Sequence, residues 1–461
     1  MNDIIVALAT PIGAGAIALI RISGKNIRAF LSNNCRLYSS KKLEEVETHS
    51  INYGQFLSFD KKNVIDEVIF LVMDSPKTFT GEDVVEITCH NNIFIIQNII
   101  EICCKLGARP AEKGEFTRRA FENKKIDIIQ AEAIDDLINS QSEAAARASL
   151  SQLRGSLSNE IFKIDEKISI IGAFCQASFE FVDEEINVKA DIVLKIKNVI
   201  NDILLILEKK EISDIVRSGI RISIIGSVNA GKSSLFNSLI NKNRAIVTNI
   251  PGTTRDSIEY GFYRSGLYIT FIDTAGIRQT EDIIEKEGIK KTYLEAESSD
   301  ILIFLFEEEN FKNNDFMSVA IEIINKFSEK IIFALNKIDL IVDNFKFLEA
   351  NNQFKNENFI KMSTKENKGI DLIFQEIDKK INIKTKNANL PYLINIRQFQ
   401  ILSYIKDQLT NILSLLAIDE PYYEIIFQKI CDIQANLNEV SGKSISEKSI
   451  NMVFKEFCVG K

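Results

Sequence analysis

The sequence predicts a chain of the α/β and α classes. An amino-terminal α+β module covers residues 1–118, and a helical domain follows in two parts, 119–218 and 383–461. Between those parts lies an inserted α/β domain, residues 219–382, with a doubly wound parallel sheet. Three observations predict this. Short apolar runs separated by turns fill the first 118 residues. From Phe116 onward apolar residues recur at three- and four-residue steps, as in Ile126, Ile129, Ala133, Leu137 and again in Ile161, Ile164, Ile168, Ile171, which is the helical period. After Gly219 strands alternate with helices. At 461 residues the chain exceeds one ordinary core, so two to four domains are expected.

Taken in order, residues 4–9, 16–22, 64–72 and 84–89 read as strands and 91–106 as a helix. Gly155 and Gly172 read as interruptions that the following helices tolerate. The run 191–212 closes the first helical part, and Arg217-Ser218-Gly219 reads as a hinge. In the inserted domain the strands are expected at 267–272, 300–306, 331–335 and 359–362. Helices return at 396–417 and 422–441. Helix before and helix after imply that the two helical parts pack into one bundle.

Composition narrows the chemistry. With 45% hydrophobic and 26% charged residues the chain reads as folded rather than disordered. Its strongest apolar run, 93–102, is broken by Gln97, Asn98 and Glu101, so no membrane span is expected, and the first residues lack the basic region and cleavage site of a signal peptide. A cytoplasmic protein is expected. Seven cysteines with no CxxC pair argue against a disulfide framework and a zinc ribbon, and two histidines, His49 and His90, nearly exclude His-based triads. A net charge of −8 gives no global attraction to nucleic acid, so RNA contact needs a local basic patch. Lys124-Lys125 and Arg118-Arg119 are candidates, and solvated helix faces account for them equally well.

Three motifs carry the chemistry. Gly226-Ser227-Val228-Asn229-Ala230-Gly231-Lys232-Ser233 matches the G-x-x-x-x-G-K-[ST] phosphate loop, with an apolar strand at 222–225 before it and a helix at 234–240 after it. Asp273-Thr274-Ala275-Gly276 follows, then Asn336-Lys337-Ile338-Asp339. A carboxylate at Asp339 accepts from the N1 and N2 hydrogens of guanine, whereas adenine offers no such pair. The nucleotide is therefore expected to be GTP.

Each residue then takes a role. Backbone N–H groups of the glycine-rich turn and the helix start point at phosphate oxygens, and the Lys232 ammonium neutralises the β and γ phosphates. Ser233 is the first hydroxyl ligand for Mg²⁺, and Thr254, in Gly252-Thr253-Thr254-Arg255-Asp256, is the second. Asp273 holds a metal-bound water, Gly276 senses the γ phosphate, and Ser363-Thr364-Lys365 backs the guanine. The expected GTP-contacting set also includes Asn229, Ala230, Gly231, Ser234, Thr248, Asn249, Ile250, Pro251, Gly252, Thr253, Thr274, Ala275, Asn336 and Lys337. Ile277 stands where many GTPases carry the glutamine that orients the attacking water, so another group must do that work. Asn229 has a side-chain oxygen suited to a monovalent cation. The acidic cluster Glu281, Asp282, Glu285 and Glu287 offers carboxylates, although it reads first as a solvated helix start.

These residues resemble the tRNA modification GTPase family MnmE, also called TrmE. The marks are Thr10-Pro11-Ile12-Gly13, Ile20-Arg21-Ile22-Ser23-Gly24, Phe79-Thr80-Gly81-Glu82-Asp83, the segment Gly114 to Phe121, the Asn-Ala-Gly-Lys-Ser-Ser loop, Gly252 to Asp256, and the terminal Cys458-Val459-Gly460-Lys461. The likeness runs from end to end. It implies a P-loop, Ras-like GTPase domain inserted in the helical domain and an amino-terminal module that dimerises and binds 5-formyl- or 5,10-methylene-tetrahydrofolate. It also implies a homodimer whose GTP hydrolysis is stimulated when K⁺ draws two nucleotide domains together. A heterotetramer with the FAD- and NADH-dependent partner MnmG would add a carboxymethylaminomethyl or aminomethyl group to C5 of the wobble uridine of certain tRNAs.

By the same resemblance Asn229 and backbone oxygens of Thr248, Ile250 and Thr253 hold K⁺, Glu285 orients water, and Glu285, Lys232 and Asn229 are catalytic. Arg21, Glu82, Lys125 and Lys461 contact the folate, with Cys458 as a reactive or a buried structural thiol. The chain departs from the family pattern at Val228 and Lys113, where proline is usual, and at Val459, where isoleucine is usual. None of these removes a ligand. The alternative is a regulatory GTPase that binds ribosomal RNA or a protein and does no chemistry beyond its switch.

Overall fold

The computed structural model describes residues 3–13, 15–180, 189–242, 258–273, 293–341, 354, 357–385, 390–444, 446–455, 457 and 459–460. The chain divides into two compact units: Met1–Asp135, Gln152–Leu204 and Gln400–Lys461 form one, and Asp136–Ser151 with Leu205–Phe399 form the other.

The first unit holds a seven-stranded sheet. Its strands are β1 (Ile5–Leu8), β2 (Ile17–Gly24), β3 (Cys35–Leu37), β4 (Ser50–Leu57), β5 (Val64–Met73), β6 (Asp83–His90) and β7 (Arg109–Pro110). They lie in the order β3-β4-β5-β6-β2-β1-β7, antiparallel except for the β1–β7 pair. Alternating residues such as Ile20, Ile22, Val68, Phe70, Val85 and Ile87 point to one face, where they are buried with residues of the helices Ile27–Ser32 and Ile93–Leu106. Asn92 caps the longer helix by accepting from Phe94 N at 2.9 Å, and Gly107, at φ 114°, ends it.

In the helical part of this unit, Ser156–Glu180 packs along Tyr423–Ser441, as the bundle expectation required. Gly172 lies at this contact, and a Cβ there would stand in ordinary contact with Ile430 Cγ2 at 3.4 Å, so the helix carries it as an interruption. Gln434 Nε2 donates to Ser169 Oγ at 2.8 Å across the same contact. Gly155 differs from expectation. At φ 94° it separates the helices Glu143–Leu153 and Ser156–Glu180 instead of lying within one.

The second unit carries a six-stranded sheet: β8 (Ile220–Gly226), β9 (Ile258–Arg264), β10 (Leu267–Asp273), β11 (Ile301–Phe306), β12 (Ile331–Leu335) and β13 (Ile360–Lys361). The order is β13-β12-β11-β8-β10-β9. All neighbours are parallel except β9, which pairs antiparallel with β10 at the edge. Every residue of β11 and β12 is buried, as a sheet covered on both faces demands. The run expected at 191–212 is two helices, Lys189–Leu207 and Lys210–Ser218. Gly219 stops the second at φ 79°, where a Cβ would meet Tyr268 O at 2.4 Å. Arg217 clamps this junction through a two-bond pair with Asp136 at 2.7 and 2.8 Å.

Candidate functional site

The parallel strands β8, β11 and β12 end side by side, with Leu305 opposite Gly226 and Phe306 opposite Leu335. The loops that leave those ends form a crevice where a parallel sheet binds its ligand. From β8 the chain turns through Ser227–Gly231 into the helix Lys232–Lys242. Two glycines make the turn possible. A Cβ on Gly226 would lie 2.3 Å from Leu305 O, and one on Gly231, at φ 96°, would lie 2.3 Å from Asn336 Nδ2. Asn229 is exposed with φ 66°, a conformation that asparagine tolerates. The Lys232 ammonium donates to Gly226 O at 3.0 Å and Ser227 O at 2.7 Å, so the cation lies across the turn that is expected to cradle phosphate. Ser233 and Ser234 are exposed in the first helical turn, and a hydroxyl at Ser233 suits a hard cation such as Mg²⁺.

The segment after β12 closes the crevice. Asn336 is buried; its Nδ2 donates to Ala230 O at 2.8 Å and to Thr364 Oγ1 at 3.3 Å, and its Oδ1 accepts from Thr364 N at 3.1 Å. One side chain thus joins the phosphate loop, the Asn336–Asp339 motif and the Ser363–Lys365 loop. Lys337, at φ 60°, pairs its ammonium with the carboxylate of Glu307. Asp339 is exposed, and Ser363 Oγ donates to its Oδ1 at 2.6 Å. That hydrogen bond, with the charges of Lys365 and Lys368, holds the Asp339 carboxyl below the usual carboxylate range. An ionised acceptor open to solvent at this position is what guanine's paired donors require.

In the amino-terminal module Arg21 and Glu86 face each other in the β2–β6 register and bond at 2.7 Å. Arg21 Nη1 also donates to Gly460 O at 3.2 Å, which ties the end of the chain to this sheet. Gly460, at φ 91°, packs so closely on β1 that a Cβ would meet Leu8 O at 2.4 Å. Glu82 is engaged elsewhere: it accepts from Ser23 Oγ at 2.9 Å and from Arg119 Nη1 at 3.0 Å. Arg119 is buried and also pairs with Asp3 and Glu115, each at 3.0 Å. Lys125 Nζ donates to Pro76 O at 2.9 Å. Glu86 is an addition to the expected residues, found only once strand register is known, whereas Arg119, read from sequence as an RNA contact or a solvated helix face, is instead buried.

Residues 4–125 match the family model described as GTP-binding protein TrmE N-terminus, and residues 128–458 match the MnmE helical domain. The tRNA modification GTPase MnmE of Acetivibrio thermocellus is 37% identical over 100% of this chain and 99% of its own length. The namesake from Carboxydothermus hydrogenoformans is 35% identical over the whole of both chains, and that from Christiangramia forsetii 34% over the whole of both. This chain belongs to the tRNA modification GTPase MnmE family. Among solved structures the G domain of the T. maritima FeoB iron transporter is similar at 23% identity, covering 35% of this chain and 98% of that one with a TM-score of 0.26, too slight a likeness to argue from.

Of the site residues that MnmE membership draws attention to, Asn229, Ala230, Gly231, Lys232, Asn336, Lys337, Asp339, Ser363 and Thr364 lie around the one crevice just described. Lys365 is exposed in the same loop as Ser363. Asp273 ends β10, next to β8. Thr248, Asn249, Ile250, Pro251, Gly252, Thr253, Thr254, Thr274, Ala275, Gly276 and Glu285 lie outside the described residues, as do Cys458 and Lys461. Glu307 and Asn310, beside the phosphate loop, were not expected; the Glu-Glu-Glu-Asn run after β11 gave no sign of their burial.

Proposed function

We propose that this chain hydrolyses GTP in its α/β domain, residues 219–382, and couples that hydrolysis to modification of C5 of the wobble uridine in certain tRNAs. The observation that carries the reading is the joint made by Asn336, which bonds Ala230 O of the phosphate loop, beside a carboxylate, Asp339, whose pKa the Ser363 hydroxyl lowers further. Phosphate cradle and guanine acceptor are thereby parts of one pocket. On GTP binding Lys232 exchanges its bonds to Gly226 O and Ser227 O for phosphate oxygens. Ser233 and Thr254 hold Mg²⁺, and Asp273 steadies its water. Asn229 with backbone oxygens of Thr248, Ile250 and Thr253 would hold K⁺ in a homodimer, and the bound ion would supply positive charge toward the phosphates. Glu285 positions the attacking water.

The reading extends to the flanking domains, residues 1–118 and the helical parts 119–218 and 383–461. Arg21, Lys125 and Lys461 suit the anionic tail of a 5-formyl- or 5,10-methylene-tetrahydrofolate, and Cys458 lies in the same terminal segment. Glu82, held by Ser23 and Arg119, is the carboxylate expected to meet the pterin donors, and Glu86, paired with Arg21 in the β2–β6 register, is a second candidate for that role. MnmG, with FAD and NADH, completes a heterotetramer that acts on tRNA in the cytoplasm. Among the described residues no helix is long and apolar enough to cross a membrane. Mass spectrometry of tRNA from cells that lack this chain tests substrate and reaction together. Loss of carboxymethylaminomethyl or aminomethyl groups from wobble uridine is expected; unchanged wobble uridines contradict the reading.

A further inference from the structure

The acidic run after β11 holds two buried residues that belong to none of the nucleotide motifs. Glu307 is 8% exposed and Asn310 6%, while Glu309 between them is exposed to solvent. A strand-end run of this composition is ordinarily a solvated turn, and burial of its first and last members is unfavourable unless their polar groups are met. Those of Asn310 are met on two sides. Its Oδ1 accepts from Glu307 N at 2.9 Å, and Asn310 N donates back to Glu307 O at 3.0 Å. Toward the phosphate loop, Asn310 Nδ2 donates to Ser227 Oγ at 2.9 Å, and in the other sense Ser227 Oγ lies 3.2 Å from Asn310 Oδ1. Ser227 is the first residue after β8, and its carbonyl accepts from Lys232 Nζ. The carboxylate of Glu307 holds Lys337. The Glu307–Asn310 turn is therefore bonded both to the phosphate loop, through Ser227, and to the Asn336–Asp339 motif, through Lys337.

We propose that Asn310 is a positioning residue for nucleotide binding. Through Ser227 it fixes the start of the phosphate loop against the end of β11, so that the loop's N–H groups and Lys232 meet a diphosphate in an arrangement already set. Fixing those dihedrals beforehand removes an entropic cost that binding would otherwise bear. Asn310 touches neither phosphate nor the reacting atoms, so its contribution is uniform across ground and transition states.

The proposal rests on the reading of this crevice as a guanine nucleotide pocket, and its test separates the two. In the full-length chain Asn310→Ala is expected to raise the GDP dissociation constant and the KM for GTP about three- to tenfold, the worth of a neutral hydrogen bond, with kcat within about twofold of wild type. Ser227→Ala removes the other end of the link and is expected to act in the same direction by no more than Asn310→Ala, which also leaves Glu307 N without its side-chain acceptor. The double variant should be no worse than Asn310→Ala alone, because the contact with Ser227 is already lost there. Effects that multiply in the double variant overturn the proposal, as does a fall in kcat at constant KM. Should Asn310→Ala fail to fold, Ser227→Ala decides alone: an unaltered GDP dissociation constant in that variant overturns the role of Asn310. Wild-type chain that does not bind GDP at all sinks the nucleotide reading itself.

Discussion

Asn336 Nδ2 donates to Ala230 O at 2.8 Å, so the residue that opens the guanine motif also fixes the phosphate loop, 106 positions earlier in the chain. That hydrogen bond ties together the loops proposed to hold guanine and phosphate. Asn336→Ala leaves Ala230 O without this partner in a buried place, at a cost of about 1–3 kcal/mol if it stays unmet, and Thr364 N without it in a half-buried one. The expected result is a lower denaturation midpoint by circular dichroism together with at least tenfold weaker GDP binding. Weaker binding at unchanged stability would separate the two effects and remove the joint.

Acid sensitivity of binding is set first by Ser363, whose hydroxyl holds the Asp339 carboxyl below its ordinary range, with Lys365 and Lys368 acting in the same direction. Guanine requires the ionised form. GDP affinity therefore persists as pH falls below the usual carboxylate range and is lost only through the depressed value for Asp339. In Ser363→Ala the carboxyl returns toward its ordinary value, and the acid limb of GDP affinity moves to higher pH. Calorimetry across the acid range measures the displacement; coincident limbs in the two proteins would contradict this account of Asp339.

Two carboxylates in the amino-terminal module are predicted to behave differently. Glu86→Gln, which loses the pair with Arg21, is expected to weaken binding of a reduced folate about tenfold while leaving thermal stability close to wild type. Glu82→Gln instead leaves the buried guanidinium of Arg119 with Asp3 and Glu115 alone, and should destabilise the module by about 1–3 kcal/mol. Isothermal calorimetry and thermal melting of both variants give the comparison. A Glu82→Gln chain that melts normally would contradict the part given to Glu82 in holding Arg119.

The nucleotide pocket was legible in the sequence because its parts are short linear motifs at strand ends, where Gly226, Gly231, Asn336 and Asp339 each have a local reason to be what they are. Strands β8, β10, β11 and β12 were legible for a related reason, since buried parallel strands are continuous apolar runs. Strand β4 was not, because its apolar Ile51 and Tyr53 are exposed while its inward side is carried by Asn52, Gly54 and Phe56, which gives no apolar alternation to recognise. Nor was β9, whose Ile-Glu-Tyr-Gly-Phe-Tyr-Arg run is an antiparallel edge. Arg119 meets Asp3 and Glu82 only after β1 and β6 have taken their places, and Glu86 meets Arg21 only through β2–β6 register. Such long-range pairings leave no mark on local spacing.

The cation assigned to Asn229 has a kinetic consequence. Ile277 leaves no glutamine there to orient the attacking water, and on the proposed reading a K⁺ at Asn229 would supply the charge that an arginine finger supplies elsewhere. Turnover of GTP in potassium chloride is expected to exceed that in sodium chloride of equal ionic strength by at least about tenfold, a modest share of what a charge at this position contributes. Asn229→Ala should abolish the difference. Equal rates in both salts for the wild-type chain would remove the cation from the mechanism.

Guanine recognition by Asp339 is the claim on which the pocket stands, and exchanging its acceptor for an amide tests it most directly. Asparagine at 339 accepts from N1–H and donates to the 2-oxo group of xanthine, but opposes the 2-amino group of guanine with a donor. Hydrolysis of GTP and XTP, measured side by side, is predicted to favour GTP in the wild-type chain and XTP in Asp339→Asn, with kcat/KM for GTP falling at least about a hundredfold. A variant that still prefers GTP, or a wild-type chain that hydrolyses ATP as readily, would contradict the account.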